Sequence, residues 1–123
     1  MADGLRINLA EKLARFTDRW TPKVVETVDD YDVKVVKVEG DFVWHKHDDA
    51  DELFLVVNGR FRMDFRDRQV EVGPGEIIVV PKGVEHKPFA AEVCEILLLE
   101  RRGLVNTGDA APSAYTRTES ERI

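Results

Sequence analysis

Residues 40–65 of the chain read GDFVWHKHDDADELFLVVNGRFRMDF, and they indicate the architecture of the protein more clearly than any other stretch. Runs rich in Val, Leu and Phe alternate there with Gly and polar residues, which is typical of short β-strands. Asn58-Gly59 predicts a two-residue type I′ turn, because both central residues of that turn need a positive φ. We therefore expect residues 52–57 and 60–65 to pair as a hairpin.

The register of this predicted hairpin assigns its side chains to two faces, because directly opposed residues lie on the same side of a sheet. One face combines a single carboxylate with apolar side chains, and we expect it to form the interior: Glu52, Phe54, Val56, Phe61, Met63 and Phe65. The larger apolar side chains Phe54, Phe61, Met63 and Phe65 either fill this interior or line a pocket within it.

The opposite face of the hairpin is more apolar than a solvated surface requires. It carries Leu53, Leu55 and Val57. Either the N-terminal helix and strand or a second subunit must cover these side chains. The second arrangement predicts a homodimer, which is the assembly we expect.

The rest of the chain predicts a single all-β domain with a short N-terminal helix. Residues 5–16 read LRINLAEKLARF, a short amphipathic pattern in which Asn8 could cap the helix and Glu11 completes a capping box. A period of two begins at Val24 and predicts further strands at 24–28, 32–38, 42–47, 69–72, 76–80, 85–89 and 93–100. We expect residues 1–30 to form the helix and a covering strand, residues 31–100 the core, and residues 101–123 a polar tail.

Composition excludes several classes of partner. With 123 residues and a net charge of −6, the chain has no basic field for nucleic acid. No apolar run reaches the roughly 20 residues that span a bilayer, and no secretory signal is evident, so neither a membrane nor export is expected. Cys94 is the only cysteine and cannot form an intrachain disulfide, which fits a reducing compartment. We expect a cytoplasmic protein.

The three histidines of the chain carry its chemistry. His45 and His47 are separated by one residue, so on a strand both imidazoles point to the same side. Glu52 lies on the predicted interior face, where an unpaired carboxylate would be costly. With His86 these residues make a typical ligand set for a divalent first-row metal. The alternative is a hydrogen-bonded polar cluster without metal.

Two motifs resemble those of the cupin superfamily. Gly40-x4-His45-x-His47-x4-Glu52-x6-Gly59 is similar to the first cupin motif, although its first gap is one residue shorter than the commonest form. Gly75-x5-Pro81-x-Gly83-x2-His86 is similar to the second, with Ala90 where an Asn is usual. The resemblance covers about residues 30–100 and is greatest to small single-domain cupins labelled by their similarity to mannose-6-phosphate isomerase.

The resemblance implies a jelly-roll β-barrel, or double-stranded β-helix, in which His45, His47, Glu52 and His86 bind Mn, Fe, Ni, Co, Cu or Zn. Four protein ligands in an octahedral sphere leave two positions for a small molecule. One hypothesis is a metal-dependent enzyme that isomerises a sugar-like molecule or inserts oxygen into a small one, although the sequence identifies no general base. The other is a non-catalytic module that binds or senses a small molecule around a structural metal.

Overall fold

The computed structural model describes residues 5–123, which form one short helix and eight strands. The prediction of an all-β chain with a short N-terminal helix is confirmed. The elements are α1 (Leu9–Leu13), β1 (Lys23–Val28), β2 (Tyr31–Asp41), β3 (Glu52–Asn58), β4 (Phe61–Phe65), β5 (Gln69–Val72), β6 (Ile77–Val80), β7 (His86–Arg101) and β8 (Glu121–Arg122).

The long strand β7 organises the sheet. It pairs antiparallel with β2 over most of its length, with β4 through residues 86–89 and with β3 through residues 95–100. The strand order is β5-β4-β7-β2-β1-β8, and β6 is joined through β3. This arrangement is consistent with the expected jelly roll. It does not close into a complete barrel, because β5, β6 and β8 each have a single partner strand within residues 5–123.

The predicted hairpin between β3 and β4 is wrong. Each strand pairs with a different half of β7, and the described residues show no ladder between the two. Gly59 has a φ of +87°, but Asn58 is not in the positive-φ region, so the turn is not type I′. A Cβ on Gly59 would lie 2.8 Å from the carbonyl oxygen of Val93. The glycine is needed because the chain passes close to β7 as it crosses from β3 to β4.

The side chains predicted to face the interior nevertheless do so, because the alternation of side chains along a strand does not depend on which strand pairs with it. Phe54, Phe61 and Met63 are buried, and Phe65 packs against them. Two strand boundaries need correction. Residues 42–47 are not a strand and contain only an isolated bridge from His45 to His86, whereas the predicted strands 85–89 and 93–100 are one continuous strand, β7.

A second, smaller apolar cluster lies under the N-terminal segment. The Oδ1 atom of Asn8 accepts a hydrogen bond from the backbone N–H of Glu11 at 2.9 Å, which confirms the predicted cap, although α1 ends at Leu13. Leu13 packs with Val25 and Val35, and Val57 joins them from β3. The N-terminal helix therefore covers part of the outer face. No helix in the described part of the chain is long and apolar enough to cross a membrane.

The C-terminal residues are largely irregular and fold back onto the protein. Thr107 is only 1% exposed, and Tyr115 packs against the main core. The ring of Tyr115 lies 5.4 Å from that of Phe42, which immediately follows β2. This segment therefore reaches the end of the sheet where the histidines lie.

Candidate metal centre

Four buried side chains from three parts of the chain meet at one end of the sheet. Glu52 begins β3 and His86 begins β7, while His45 and His47 lie in the irregular segment after β2. That segment is fixed by main-chain hydrogen bonds. The backbone N–H groups of His45 and His86 donate to each other's carbonyl oxygens at 3.0 and 2.9 Å, and Gly83 donates to the carbonyl of His47 at 2.8 Å.

The four side chains form a compact cluster of ligand atoms. One ligand atom from each of His45, His47, Glu52 and His86 lies within 4.8 Å of every other. The Nε2 atoms of His47 and His86 lie 3.5 and 3.6 Å from Oε1 of Glu52. All three of these atoms are buried without a hydrogen-bond partner. Since buried polar atoms are normally satisfied, this donor set fits a metal ion, and the cluster could hold one.

Local hydrogen bonds set the tautomers of two histidines. Nδ1 of His45 lies 2.9 Å from the carbonyl oxygen of Val43, and Nδ1 of His86 lies 2.9 Å from that of Val84. A carbonyl oxygen can only accept, so in the neutral rings Nδ1 carries the proton and donates it. The Nε2 atom of each ring then keeps a free lone pair. This is the usual arrangement of metal-binding histidines.

The electrostatics of the cluster favour neutral histidine and ionised glutamate. Burial, together with the charge of the neighbouring His86, lowers the pKa of His45 to about 4. Burial alone would raise the pKa of Glu52, but a hydrogen bond from Glu100 and the closeness of the His47 and His86 rings hold it well below its usual range. These are the protonation states in which both side chains can donate electrons to a cation.

A second buried glutamate, Glu100 of β7, lies beside the cluster. Its Cα atom is the direct cross-strand partner of that of Glu52, and its Oε1 atom accepts a hydrogen bond from Nζ of Lys34 at 2.8 Å. Burial and the negative charge of Glu52 raise the pKa of Glu100 well above its usual range. Two ionised carboxylates cannot share a hydrogen bond, so we place one proton on Glu100, which then donates to Glu52. Lys34 balances the one remaining negative charge.

A small, partly open cavity of about 40 Å³ adjoins the cluster. Its polar lining comes from His45, Glu52, Glu100 and Asn106, and its aromatic lining comes from Trp20, Phe42 and Phe54. Of the four side chains considered as pocket lining, Phe54 alone is among those lining this cavity, while Phe61, Met63 and Phe65 belong to the hydrophobic core.

Sequence reasoning missed several residues of this region. Glu100 could have been found, because Cys94, Ile96 and Leu98 alternate toward the interior and Glu100 continues their period. Lys34 follows the same logic on β2. Trp20 and Asn106 carry no comparable signal, since each lies outside the regular strands.

The outer approach to the cluster is an open depression of about 410 Å³ beside His47. Its walls include Lys46 and three acidic side chains, Asp48, Asp49 and Asp109. The excess of negative charge attracts cations and repels anions at this opening.

The fold and the cluster together define a class of small β-proteins with a buried site of three histidines and a glutamate. A model of the cupin domain matches residues 32–100, more than half of the chain, and this protein belongs to that family. The subtype named for mannose-6-phosphate isomerase remains a prediction.

Known proteins resemble the chain over most of the same region. A solved cupin-2 domain-containing protein from Shewanella frigidimarina is 48% identical, with a TM-score of 0.77 over 78% of this chain and 94% of that one. Protein NMB1881 from Neisseria meningitidis is 33% identical, with a TM-score of 0.73 over 78% of this chain and 98% of that one. The uncharacterized protein YdbB of Bacillus subtilis is 34% identical over 64 residues, which are 51% of this chain and 57% of YdbB.

Proposed function

We propose that this cupin is a metal-dependent enzyme that acts on a small oxygenated molecule. The observation that carries the proposal is the convergence of four buried donor side chains, His45, His47, Glu52 and His86, beside a cavity. Three of the donor atoms have no partner in the protein. A polar cluster that served only the fold would be expected to satisfy its own hydrogen bonds.

These four residues would hold Mn, Fe, Ni, Co, Cu or Zn, and such an ion supplies a Lewis acid with two positions left for oxygen atoms of a substrate. The protein prepares the site in three ways. Carbonyl oxygens orient the rings of His45 and His86. The low pKa of His45 keeps that ring neutral. Protonated Glu100 donates a hydrogen bond to Glu52 and so helps to fix the position of that carboxylate.

The walls of the cavity favour an uncharged substrate. Its described lining includes two carboxylates and no lysine or arginine, and the outer depression is acidic. An anionic sugar phosphate or sugar acid would meet like charges at the outer depression. Trp20, Phe42 and Phe54 offer apolar surface to a ring, while Asn106 offers a hydrogen-bonding amide. A cavity of about 40 Å³ is smaller than a phenol or a sugar, so these walls would contact only part of a substrate. Their chemistry favours phenols, diols and uncharged sugars, for either isomerisation or oxygen insertion.

Metal content tests the first part of the proposal. The protein is purified without chelator, stripped, and titrated with each of the six ions by calorimetry. Glu52→Gln should weaken binding at least about tenfold, because a charged ligand is replaced by a neutral one. Glu85→Gln is a matched control, since Glu85 is exposed and lies next to a ligand in sequence. Binding of less than a tenth of an equivalent by the wild type would overturn the proposal.

Turnover tests the second part. The metallated protein is screened against uncharged sugars, dicarbonyls and catechols, with and without oxygen. We expect turnover that one metal restores best after stripping and that His47→Ala abolishes, because His47 supplies a ligand atom. A fully metallated protein that turns over nothing would instead favour a non-catalytic binding or sensing module. We also propose that the protein forms a homodimer.

A further inference from the structure

The segment that carries two of the histidines lacks the support of a β-ladder. After β2 ends at Asp41, residues 42–47 contain only the isolated bridge between His45 and His86. His47 is held through its carbonyl oxygen by Gly83. Lys46 lies between His45 and His47, and the conformation of its peptide groups determines the orientation of both imidazole rings.

Lys46 is held from outside by the C-terminal residues 104–117, which we call the strap. The backbone N–H of Lys46 donates to Oδ1 of Asp109 at 2.8 Å, and the N–H of Asp109 donates to the carbonyl oxygen of Lys46 at 3.1 Å. Asp109 therefore satisfies both main-chain groups of the residue between the two histidines. These two hydrogen bonds replace those that a neighbouring β-strand would make with Lys46.

The strap approaches this segment too closely for any residue but glycine at position 108. Gly108 has a φ of +53°, and a Cβ there would overlap the carbonyl oxygen of Lys46 and lie 3.2 Å from Cδ2 of His45. Such contact leaves no room for a side chain. The strap thus touches both the backbone and the ring of the ligand segment.

The strap is itself anchored on both sides of Asp109. Asn106 donates through Nδ2 to the carbonyl oxygen of Tyr115 at 2.8 Å and accepts through Oδ1 from the N–H of Arg117 at 2.6 Å. Tyr115 packs against Phe42, whose ring contacts that of His45 edge-on at 5.4 Å. These contacts make the strap a folded part of the site region.

We infer that the strap positions the histidine ligands, with Asp109 as the positioning residue. This inference rests on the proposed metal site. The two hydrogen bonds between Asp109 and Lys46 hold the backbone of Lys46 so that His45 and His47 converge on Glu52. Loss of those bonds should weaken metal binding and change the ligand geometry, although Asp109 touches no ligand atom itself.

Three variants separate positioning from charge. Asp109→Ala removes the acceptor, Asp109→Asn keeps an oxygen acceptor without the charge, and Asp49→Ala removes a nearby exposed charge from the same depression. We expect Asp109→Ala to weaken Co²⁺ binding by roughly 10–100-fold and to alter the visible absorption of the Co²⁺ form. Asp109→Asn and Asp49→Ala should stay within about threefold of the wild type and keep its spectrum.

A wild-type affinity and spectrum for Asp109→Ala would overturn the inference. So would equal losses in all three variants, which would show that charge alone matters. Unfolding of each metal-free variant in urea is measured alongside. If Asp109→Ala does not fold, Gly108→Ala takes its place, and an unchanged Co²⁺ affinity there would count against the strap.

Hydrogen exchange of the Lys46 amide in the metal-free protein separates this inference from the proposed function. The amide should be protected in the wild type and in Asp109→Asn, and should exchange at least about tenfold faster in Asp109→Ala. Failure of the wild type to bind Co²⁺ would overturn the metal site. Unchanged exchange in Asp109→Ala would overturn the strap, whether or not metal binds.

Discussion

Replacing Lys34 with Met tests the charge balance beneath the candidate metal centre. The side chains of Lys34 and Glu100 are 4% and 1% exposed, and their ion pair is 2.8 Å long. If Glu52 and Glu100 share one proton, Lys34 compensates the single negative charge that remains. Lys34→Met then leaves that charge buried without a partner, which should cost roughly 3–5 kcal/mol of the free energy of unfolding.

The assay is urea unfolding of the stripped protein with chelator present, so that no metal replaces the missing charge. With a slope of about 1–3 kcal/mol per molar urea, the midpoint should fall by about 2 M. Lys37→Met is the matched control, because Lys37 lies on the same strand but pairs with Glu95 at 3.6 Å and is more exposed. That change also removes the hydrogen bond from Nζ of Lys37 to the carbonyl oxygen of Phe16, but it leaves no fully buried charge unpaired, so it should cost about 1–2 kcal/mol.

Glu100→Gln distinguishes the shared proton from a simple ion pair. The amide of Gln can still accept from Lys34 through its oxygen and donate to Glu52 through its nitrogen, as protonated Glu100 does. We therefore expect Glu100→Gln to cost less than half of what Lys34→Met costs. The reasoning is refuted if the two variants are equally destabilised, or if Lys34→Met unfolds at the wild-type midpoint.

Two further predictions concern the single thiol and the outer face. Burial, with the charge of Glu95, raises the pKa of Cys94 from 9.0 to about 11, so its thiolate fraction at pH 8 should be about 100-fold below that of an unperturbed thiol and should rise with pH. A disulfide reagent should therefore label the native protein slowly and the urea-unfolded chain at once. Fast labelling of the native protein at pH 8 would contradict this prediction. Ile77 and Val79 of β6 are 59% and 46% exposed beside the half-buried Leu53 and Leu55. We expect a second copy of the chain to cover these side chains. Light scattering should then give a mass of twice 14.0 kDa for the wild type and 14.0 kDa for Ile77→Lys. A wild-type monomer at high micromolar concentration would exclude the dimer.

The interior face was predictable because it depends only on local alternation. Glu52, Phe54 and Met63 are buried whichever strand lies beside them. The spacing of His45 and His47 from Glu52 likewise identified the cluster, because residues close in sequence remain close in space across one short connection. The cap that Asn8 provides for α1 needed only four residues of context.

Strand pairing was not predictable in the same way. Asn58-Gly59 favours a tight hairpin locally, but β3 and β4 pair instead with opposite halves of β7. Such a choice depends on residues more than 20 positions away, and no local pattern records it. The strap was missed for a related reason, because Gly108 and Asp109 lie in a polar stretch and act through the backbone of Lys46.

The curvature of β7 has a consequence for how the protein holds together. His86 and Glu100 are 14 residues apart on this strand, which would separate them by about 46 Å if it were straight. Both side chains nevertheless reach Glu52. The strand must therefore bend back on itself, and Glu52 at the candidate centre joins its two ends. A cation bound there would link the start of β7 to Glu52, so its removal should loosen the bent end of the strand at His86 as well as the centre itself.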